Sequence, residues 1–514
     1  MKNILEEIEA NYPVEKVLVN GHQVWSYLRI RYFRAYRTKE ASKWGEGKPK
    51  PEAPSSLQRR KQSLMQRLMY KLKYMLVLVL RLVRLLGLAR TLMKKLKRML
   101  RRVQRLKRLQ IFYGFKNWFG NYEYIALSHS GERRNVDGKF FNKLIDPVID
   151  QLGRDKVLYI ESVSALPCPI EKVHTKNIVS LGLLILLANI VARFMPGKCE
   201  IQGKAILENI QQDYGLHVDD SRWIKHFNAQ RKVFSLMFRR IKPKVVLVTD
   251  YTSYAPAIKA AKERGVKVME FQHGTIGKEH PSYNVGVEID RGCFPDYLLV
   301  FGPRELETFA NSRFIEAENV LPIGSFYIEH VRNNYVLESS LVKKLENYDR
   351  TVGVTLQPVI EKRTIEFIVQ AANLDQRIFY ILIPRASEEA EYRTLGLPGN
   401  VAAVTNKNFY ELMMYVDFHA TVYSTCALEA PSLGAQNILI NIDNLAKKYF
   451  EALLYDNRIT CYADTPEEFV QIISTFQRLD RATVSKLNQD IIATDYEQNI
   501  EKLISEHLLD EREG

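Results

Sequence analysis

From residue 122 onward, short β-branched runs alternate with stretches of helical period, and this alternation restricts the fold more than any other feature. Candidate strands fall at 124–127, 157–161, 245–249, 266–271 and 297–301, with helical spacing between them, clearest over 222–241 and 255–264. A second set follows Gly324, at 352–356, 379–383, 402–405, 418–422 and 438–440. Strands separated by helices pair in parallel through crossovers, with helices covering both faces of the sheet. The chain is therefore predicted to be α/β, with two Rossmann-like doubly wound domains at 117–325 and 326–490, facing a cleft. A C-terminal helix or tail occupies 491–514. Ligands of such sheets bind beyond the carboxyl ends of the strands, so the chemistry is to be sought there.

Composition agrees. A chain of 514 residues has room for two or three domains. Its 25 Gly and 19 Pro are too few for a collagen-like or mainly disordered chain, and 27 Tyr with 23 Phe point to packed cores. The five cysteines stand far apart without metal-ligand spacing, which reads as reduced thiols in a cytoplasm. The first seven residues lack the apolar core of a signal peptide.

The net charge of +15 is local: residues 57–110 contain 18 Lys or Arg and no Asp or Glu, which leaves −3 for everything else. The bulk of the protein is thus not a nucleic-acid binder. Residues 1–37 form an N-terminal segment with an acidic helical start and a short strand and turn near Val17–Gly21. Residues 38–56 read as a flexible linker, with Gly45, Gly47, Pro49, Pro51 and Pro54. Residues 57–116 follow as basic amphipathic helices, in which Leu64, Leu68, Leu72, Leu76 and Val79 recur at three- and four-residue steps with Lys and Arg on the other faces. That pattern suits helices lying in the headgroup layer of an anionic membrane. A solvated helix packed on its own protein would mix signs, and nucleic acid is the weaker rival. Residues 177–192 carry no charge over 16 positions, short of a membrane span, and read as a buried helix with an interfacial helix as the alternative.

Two constellations carry the chemistry. The first is Gln272-His273-Gly274-Thr275-Ile276-Gly277-Lys278-Glu279-His280 after an apolar strand. A histidine at a strand's carboxyl end projects into the cleft, and imidazole suits proton abstraction from a hydroxyl. Gly274 and Gly277 allow close approach of a ligand to the backbone, and Lys278 can neutralise phosphate. The second is Thr421-Val422-Tyr423-Ser424-Thr425, where a strand ends and a helix begins, with Glu429 in its first turns. Free N–H groups at a helix start suit a phosphate, and a carboxylate there can reach ribose hydroxyls. Taken alone, Ser424-Thr425 is only a helix cap; the pairing with the His-Gly loop gives it weight.

In this order the residues resemble the GT-B class of glycosyltransferases that build bacterial capsules and other surface polysaccharides. The His-Gly-Thr-x-x-Lys piece is also similar to teichoic acid polymerases and primases, which use CDP-glycerol. Residues 128–134, Ser-His-Ser-Gly-Glu-Arg-Arg, resemble the opening loop of the same group. The resemblance implies that His273 is the base on the acceptor hydroxyl, with Gly274, Thr275, Lys278 and His280 near acceptor or phosphate. It also implies that Ser424 and Thr425 contact the donor phosphates and Glu429 the ribose. The strand that would carry a His-Pro pair in CMP-sugar enzymes ends instead Ile383-Pro384-Arg385, which argues against CMP-activated donors and offers Arg385 to a diphosphate.

No Asp-x-Asp occurs, so transfer without a metal is expected, and no cofactor beyond the nucleotide-activated donor. Neither a phosphate-binding Walker loop nor a nucleophile elbow is present. The expected activity is transfer of a sugar from a nucleotide-sugar to a lipid-linked or growing glycan, on the inner face of a bacterial membrane docked through 57–110. A CDP-glycerol or CDP-ribitol transferase is the alternative, and a non-catalytic membrane or nucleic-acid scaffold is the rival of another class.

Overall fold

A computed structural model describes residues 4–43, 113–136, 138–162, 169–196, 200–277, 280–336, 338–385, 392 and 394–508. The basic segment 57–110 and Lys278 lie outside the described residues.

The first sheet has seven strands, all parallel: β1 (Tyr124–His129), β2 (Val157–Ser162), β3 (Ile178–Ser180), β4 (Val245–Val248), β5 (Lys267–Phe271), β6 (Tyr297–Val300) and β7 (Val320–Pro322). Their spatial order is β7-β6-β5-β4-β1-β2-β3. The second sheet has six parallel strands: β8 (Arg350–Thr355), β9 (Ile378–Ile383), β10 (Val401–Ala403), β11 (Phe418–Ala420), β12 (Gln436–Ile440) and β13 (Thr460–Ala463), ordered β10-β9-β8-β11-β12-β13. Counted by order in the chain, the first sheet runs 3-2-1-4-5-6-7 and the second 3-2-1-4-5-6, the doubly wound pattern.

The run of apolar residues in each strand is explained by burial on both faces. Ile125, Leu127, Leu158 and Ile160 enter one core, while their neighbours Tyr124, Ala126, Val157 and Tyr159 enter another. The first core is closed by the helices Asp220–Ile241 and Tyr251–Lys262, and also by the N-terminal segment through Leu5, Ile8, Trp25 and Leu28. The second is closed by the helix Asp146–Leu152 and by the last helix, Tyr496–His507, whose Ile500, Leu503 and Ile504 pack there. The chain thus crosses back from the second domain to the first. At the crossing, Arg304 N donates to Asp490 O (2.9 Å) and Ala493 N to Phe301 O (2.8 Å). Gly302 permits this approach, since a Cβ there would lie 2.4 Å from the Ile491 carbonyl oxygen.

The structure changes several boundaries. Helix Trp25–Lys43 runs through residues 38–43, which the sequence assigns to the linker. The breakers begin only at Gly45, and Lys39 Nζ anchors the second half of the helix on the Tyr214 carbonyl (2.6 Å). Residues 177–192 are not one buried helix: Ile178–Ser180 pairs with β2, and the helix Gly182–Phe194 buries Leu184, Ala188 and Ala192 while exposing Leu187, Ile190 and Phe194. Of the strands in the two large parallel sheets, three escape the sequence reading, β3, β7 and β13, the first two being three-residue edge strands. No described helix is long and apolar enough to cross a membrane.

Candidate active site at the facing sheet edges

Strand order reverses between β1 and β4 in the first sheet and between β8 and β11 in the second. Loops diverge at such points and leave a crevice at the carboxyl ends of the strands. The candidate residues of both domains lie at the carboxyl ends of strands in these sheets.

Gln272 sets the first constellation. It is buried, and its backbone N–H and both ends of its side-chain amide are used: N donates to Leu299 O (2.8 Å), Nε2 to Gly274 O (2.9 Å) and Glu305 Oε1 (3.2 Å), and Oε1 accepts from Phe301 N (2.7 Å). The chain is thereby stapled to the end of β6, and the next side chain, His273, is left exposed on the rim of a cavity of roughly 600 Å³. His280, Asp250 and Thr252 share that cavity, as do Arg31, Arg34 and Arg37 of helix Trp25–Lys43. The ring of His129, at the end of β1, lies 6.4 Å edge-on from that of His273. Thr275 and Gly274 are half-buried beside it. A Cβ at Gly274 or Gly277 would meet no atom within 4 Å, so the fold itself does not demand glycine at either position.

Two titrating groups flank His273. Burial raises the Asp250 carboxyl, but hydrogen bonds from Ser253 and Thr252 (2.6 Å each) and the nearby His273 more than reverse this, holding it below the usual range. It therefore stays a carboxylate beside the His273 ring. Burial first, and His273 second, push His280 down to about 4. Neutral at pH 7, His280 accepts at Nδ1 from Ser282 N (3.3 Å), which leaves Nε2–H as a donor.

Beneath the loop lies Glu270, fully buried on β5, accepting from Tyr251 N (3.0 Å) and Tyr283 OH (2.8 Å). Burial pushes it up to about 8, so it is mostly protonated at pH 7. An acid whose folded pKa is raised stabilises the fold below its unfolded pKa and loses that contribution as pH climbs towards the folded one. The wild type is thus expected to lose stability from about pH 4.5 to 8 through this group. Glu270→Gln should flatten that slope: thermal melts at pH 5 and pH 8 should show the variant gaining on the wild type at the higher pH, and parallel curves would refute the assignment.

In the second domain, β11 ends and the turn through Tyr423 and Ser424 leads to a single helical turn, Cys426–Glu429. Tyr423 N donates to Gln357 Oε1 (3.1 Å), which ties this turn to the loop after β8 across the switch point. Ser424 Oγ accepts from Cys426 N (3.3 Å). Thr425 corrects the capping expectation: its backbone is already helical (φ −60°, ψ −13°), and its side chain makes no cap bond, because capping needs an extended residue. Buried His419 holds the arrangement from below, through Thr355 Oγ1 and Asn437 Oδ1 (2.9 Å each), and Asn437 Nδ2 donates to Ala427 O (2.8 Å). Glu429 is half-buried and accepts from Tyr410 OH (2.9 Å). Arg385 is exposed at the end of β9 and, with Lys143, acts electrostatically on Cys426, whose thiol burial pushes up to about 12.

The structure does not join His273 directly to Ser424, Thr425, Arg385 or Glu429 through any described hydrogen bond or ion pair. The loop after β1 spans the two groups instead. It starts at His129, beside His273, and ends at Lys143, whose Nζ donates to Tyr410 OH (3.2 Å) across the domains. The hairpin in this loop is fixed by a buried ion pair, Arg133 Nε to Glu161 Oε1 (2.6 Å). Among the described residues no group of His, Cys, Asp and Glu is placed to hold a metal ion. The sequence reading missed Arg31, Arg34, Arg37 and Lys143. The arginines were signalled by their three-residue spacing opposite the buried stripe Trp25, Leu28 and Tyr32.

Fold and site together define a two-domain α/β protein with two doubly wound parallel sheets and a cavity beside His273. No family model and no curated protein matches the sequence. Among solved structures the chain is similar to UDP-GlcNAc 2-epimerase from Neisseria meningitidis bound to UDP-GlcNAc, at 11% identity over 74% of this chain and 98% of that one (TM-score 0.43). It is also similar to the glycosyltransferase SnogD from Streptomyces nogalater, at 14% identity over 75% and 99% (TM-score 0.45), and to the calicheamicin glycosyltransferase, at 14% over 75% and 98% (TM-score 0.45). At these identities the likeness is one of fold alone.

Proposed function

We propose that the chain is a glycosyltransferase that moves a sugar from a nucleotide-activated donor, seated at the β8–β11 crevice, to an acceptor hydroxyl in the cavity below β4 and β5. The observation that carries this reading is the β1 loop, which touches a solvent-facing histidine at one end and the Tyr410–Glu429 pair of the other domain at its far end. His273 takes the acceptor proton as the acceptor oxygen bonds to the sugar C1. The bond from C1 to the donor phosphate breaks, and its electron pair leaves on the nucleotide. Asp250 stabilises the imidazolium so formed, and Lys143, Arg385 and the N–H groups of the Ser424 turn meet the charge on the leaving phosphate. Glu429 is assigned to the ribose hydroxyls, with Thr425 and Thr275 as flanking hydroxyls. The test is product release from UDP-sugars, GDP-sugars and CDP-glycerol. Release of a nucleoside diphosphate supports sugar transfer, release of CMP from CDP-glycerol moves the assignment to a polyol-phosphate transferase, and release from none rejects both.

The membrane is proposed as the second partner, through 57–110 and the exposed Leu187, Ile190 and Phe194 of helix Gly182–Phe194. Exposed apolar side chains together with a basic segment in one chain are the combination an anionic interface selects. Cosedimentation with vesicles containing phosphatidylglycerol should fall severalfold in Leu187→Ser/Phe194→Ser, and more on removal of 57–110. Undiminished binding in both would dismiss the membrane role.

A further inference from the structure

We infer that the cavity beside His273 binds a phosphate-bearing group, specifically a diphosphate or two successive phosphates, on the face of helix Trp25–Lys43 that carries Arg31, Arg34 and Arg37. The inference rests on the transferase reading only in taking that group as part of the acceptor. All three arginines are exposed into the cavity, and no described carboxylate forms an ion pair with any of them. Arg34 Nη2 donates only to Thr252 Oγ1 (3.1 Å), Arg31 lies over the Trp223 ring (5.4 Å), and Arg37 over the Phe33 ring (5.9 Å). Stacking of this kind holds the guanidinium planes while leaving their N–H edges for an oxyanion.

Charge and spacing select the ligand. Asp250 is the one carboxylate among the described residues lining the cavity, so three arginines against it leave a net charge of about +2 on those residues before His273 is counted. Its own oxygens are occupied by Thr252 and Ser253. Residues three apart on a helix rise by roughly 4.5 Å, so the three guanidinium groups cover a span near 9 Å. A single carboxylate would use one of them; two linked phosphates would use the row, each guanidinium offering two N–H groups to one phosphate. The neutral His280 adds an Nε2–H donor, and Phe33 supplies an apolar wall for whatever carries the phosphate.

Calorimetric titration of the full-length protein with inorganic diphosphate tests this. The expected result is a saturable site whose affinity falls at least tenfold in R31Q/R34Q/R37Q and is kept in R222Q/K232Q/R239Q, a control of equal charge loss at exposed positions of helix Asp220–Ile241. Arg31, Arg34 and Arg37 are exposed on their helix, and a melting curve close to wild type confirms that the variant is folded. Equal affinity in wild type and helix variant, equal weakening by the control, or no binding at all overturns the site. A polyprenyl diphosphate in detergent micelles that displaces inorganic diphosphate would place the phosphate on a lipid, and displacement by a soluble glycerol phosphate would place it on a soluble acceptor; either supports the site. Failure of donor turnover with this binding intact would remove the transferase reading alone, and turnover with an unaffected helix variant would remove the anion site alone.

Discussion

His273→Ala is expected to lower turnover at least about a hundredfold, since a positioned general base typically supplies 10²–10⁴ in rate. The fold should be untouched. His273 is exposed, and the loop's own anchors are the four hydrogen bonds of Gln272 rather than the imidazole. Surface substitutions of this kind change stability by only about 0.5 kcal/mol. The loss should therefore sit in kcat, with nucleotide affinity retained, because the donor is held by the other domain. Near-normal turnover in a folded variant would remove His273 from the mechanism, and the neighbouring His129 would then be the residue to test.

The second large effect concerns a residue far from the chemistry in sequence. Glu9 and Arg29 are a fully buried ion pair, with Nε to Oε1 at 2.8 Å. Glu9 also accepts from Trp25 Nε1 (3.0 Å) and, from the His273 loop's continuation, Gly286 N (2.7 Å). Arg29 in turn donates to the carbonyl oxygens of Ser282 (3.0 Å) and Asn284. This pair ties the N-terminal helix to the segment that follows His280. Glu9→Ala leaves a buried guanidinium without its counter-ion, which costs about 3–5 kcal/mol. A fall in melting temperature on the order of 10 °C is expected for a domain of this size. Activity should fall even well below the new melting temperature, since Ser282 and His280 line the cavity. Glu9→Gln, which keeps an acceptor oxygen, should recover part of the stability. If Glu9→Ala melts with the wild type, the segment 4–43 is not integral to the first domain.

The strand–helix alternation made both sheets legible, because parallel strands buried on two faces must be near-continuously apolar. Val245–Val248 and Ile378–Ile383 announce themselves in this way. Edge strands do not: β3 and β7 are only three residues long, β7 burying Val320 alone, and take their identity from their neighbours. His273 was readable as a polar residue directly after an apolar strand. Its cavity was not, since its outer wall is a helix more than 230 positions earlier, and Arg31 and Thr252 meet only after folding. The same holds for Lys143, whose contact with Tyr410 joins residues 267 apart. Thr425 shows the opposite error, a residue type suited to capping whose backbone entered the helix too early to cap it.

The central claim, a donor nucleotide held by the second domain for a base in the first, is tested most directly by nucleotide binding to the full-length protein and to two variants. Thermal shifts with UDP, GDP, CMP and CDP are measured on wild type, Glu429→Ala and His273→Ala. A ligand at a hundredfold excess over its dissociation constant adds about 2.7 kcal/mol to stability. At least one nucleotide is expected to raise the melting temperature, with the shift abolished or sharply reduced in Glu429→Ala and preserved in His273→Ala. A shift from no nucleotide, or one that Glu429→Ala leaves intact and His273→Ala removes, would contradict that claim.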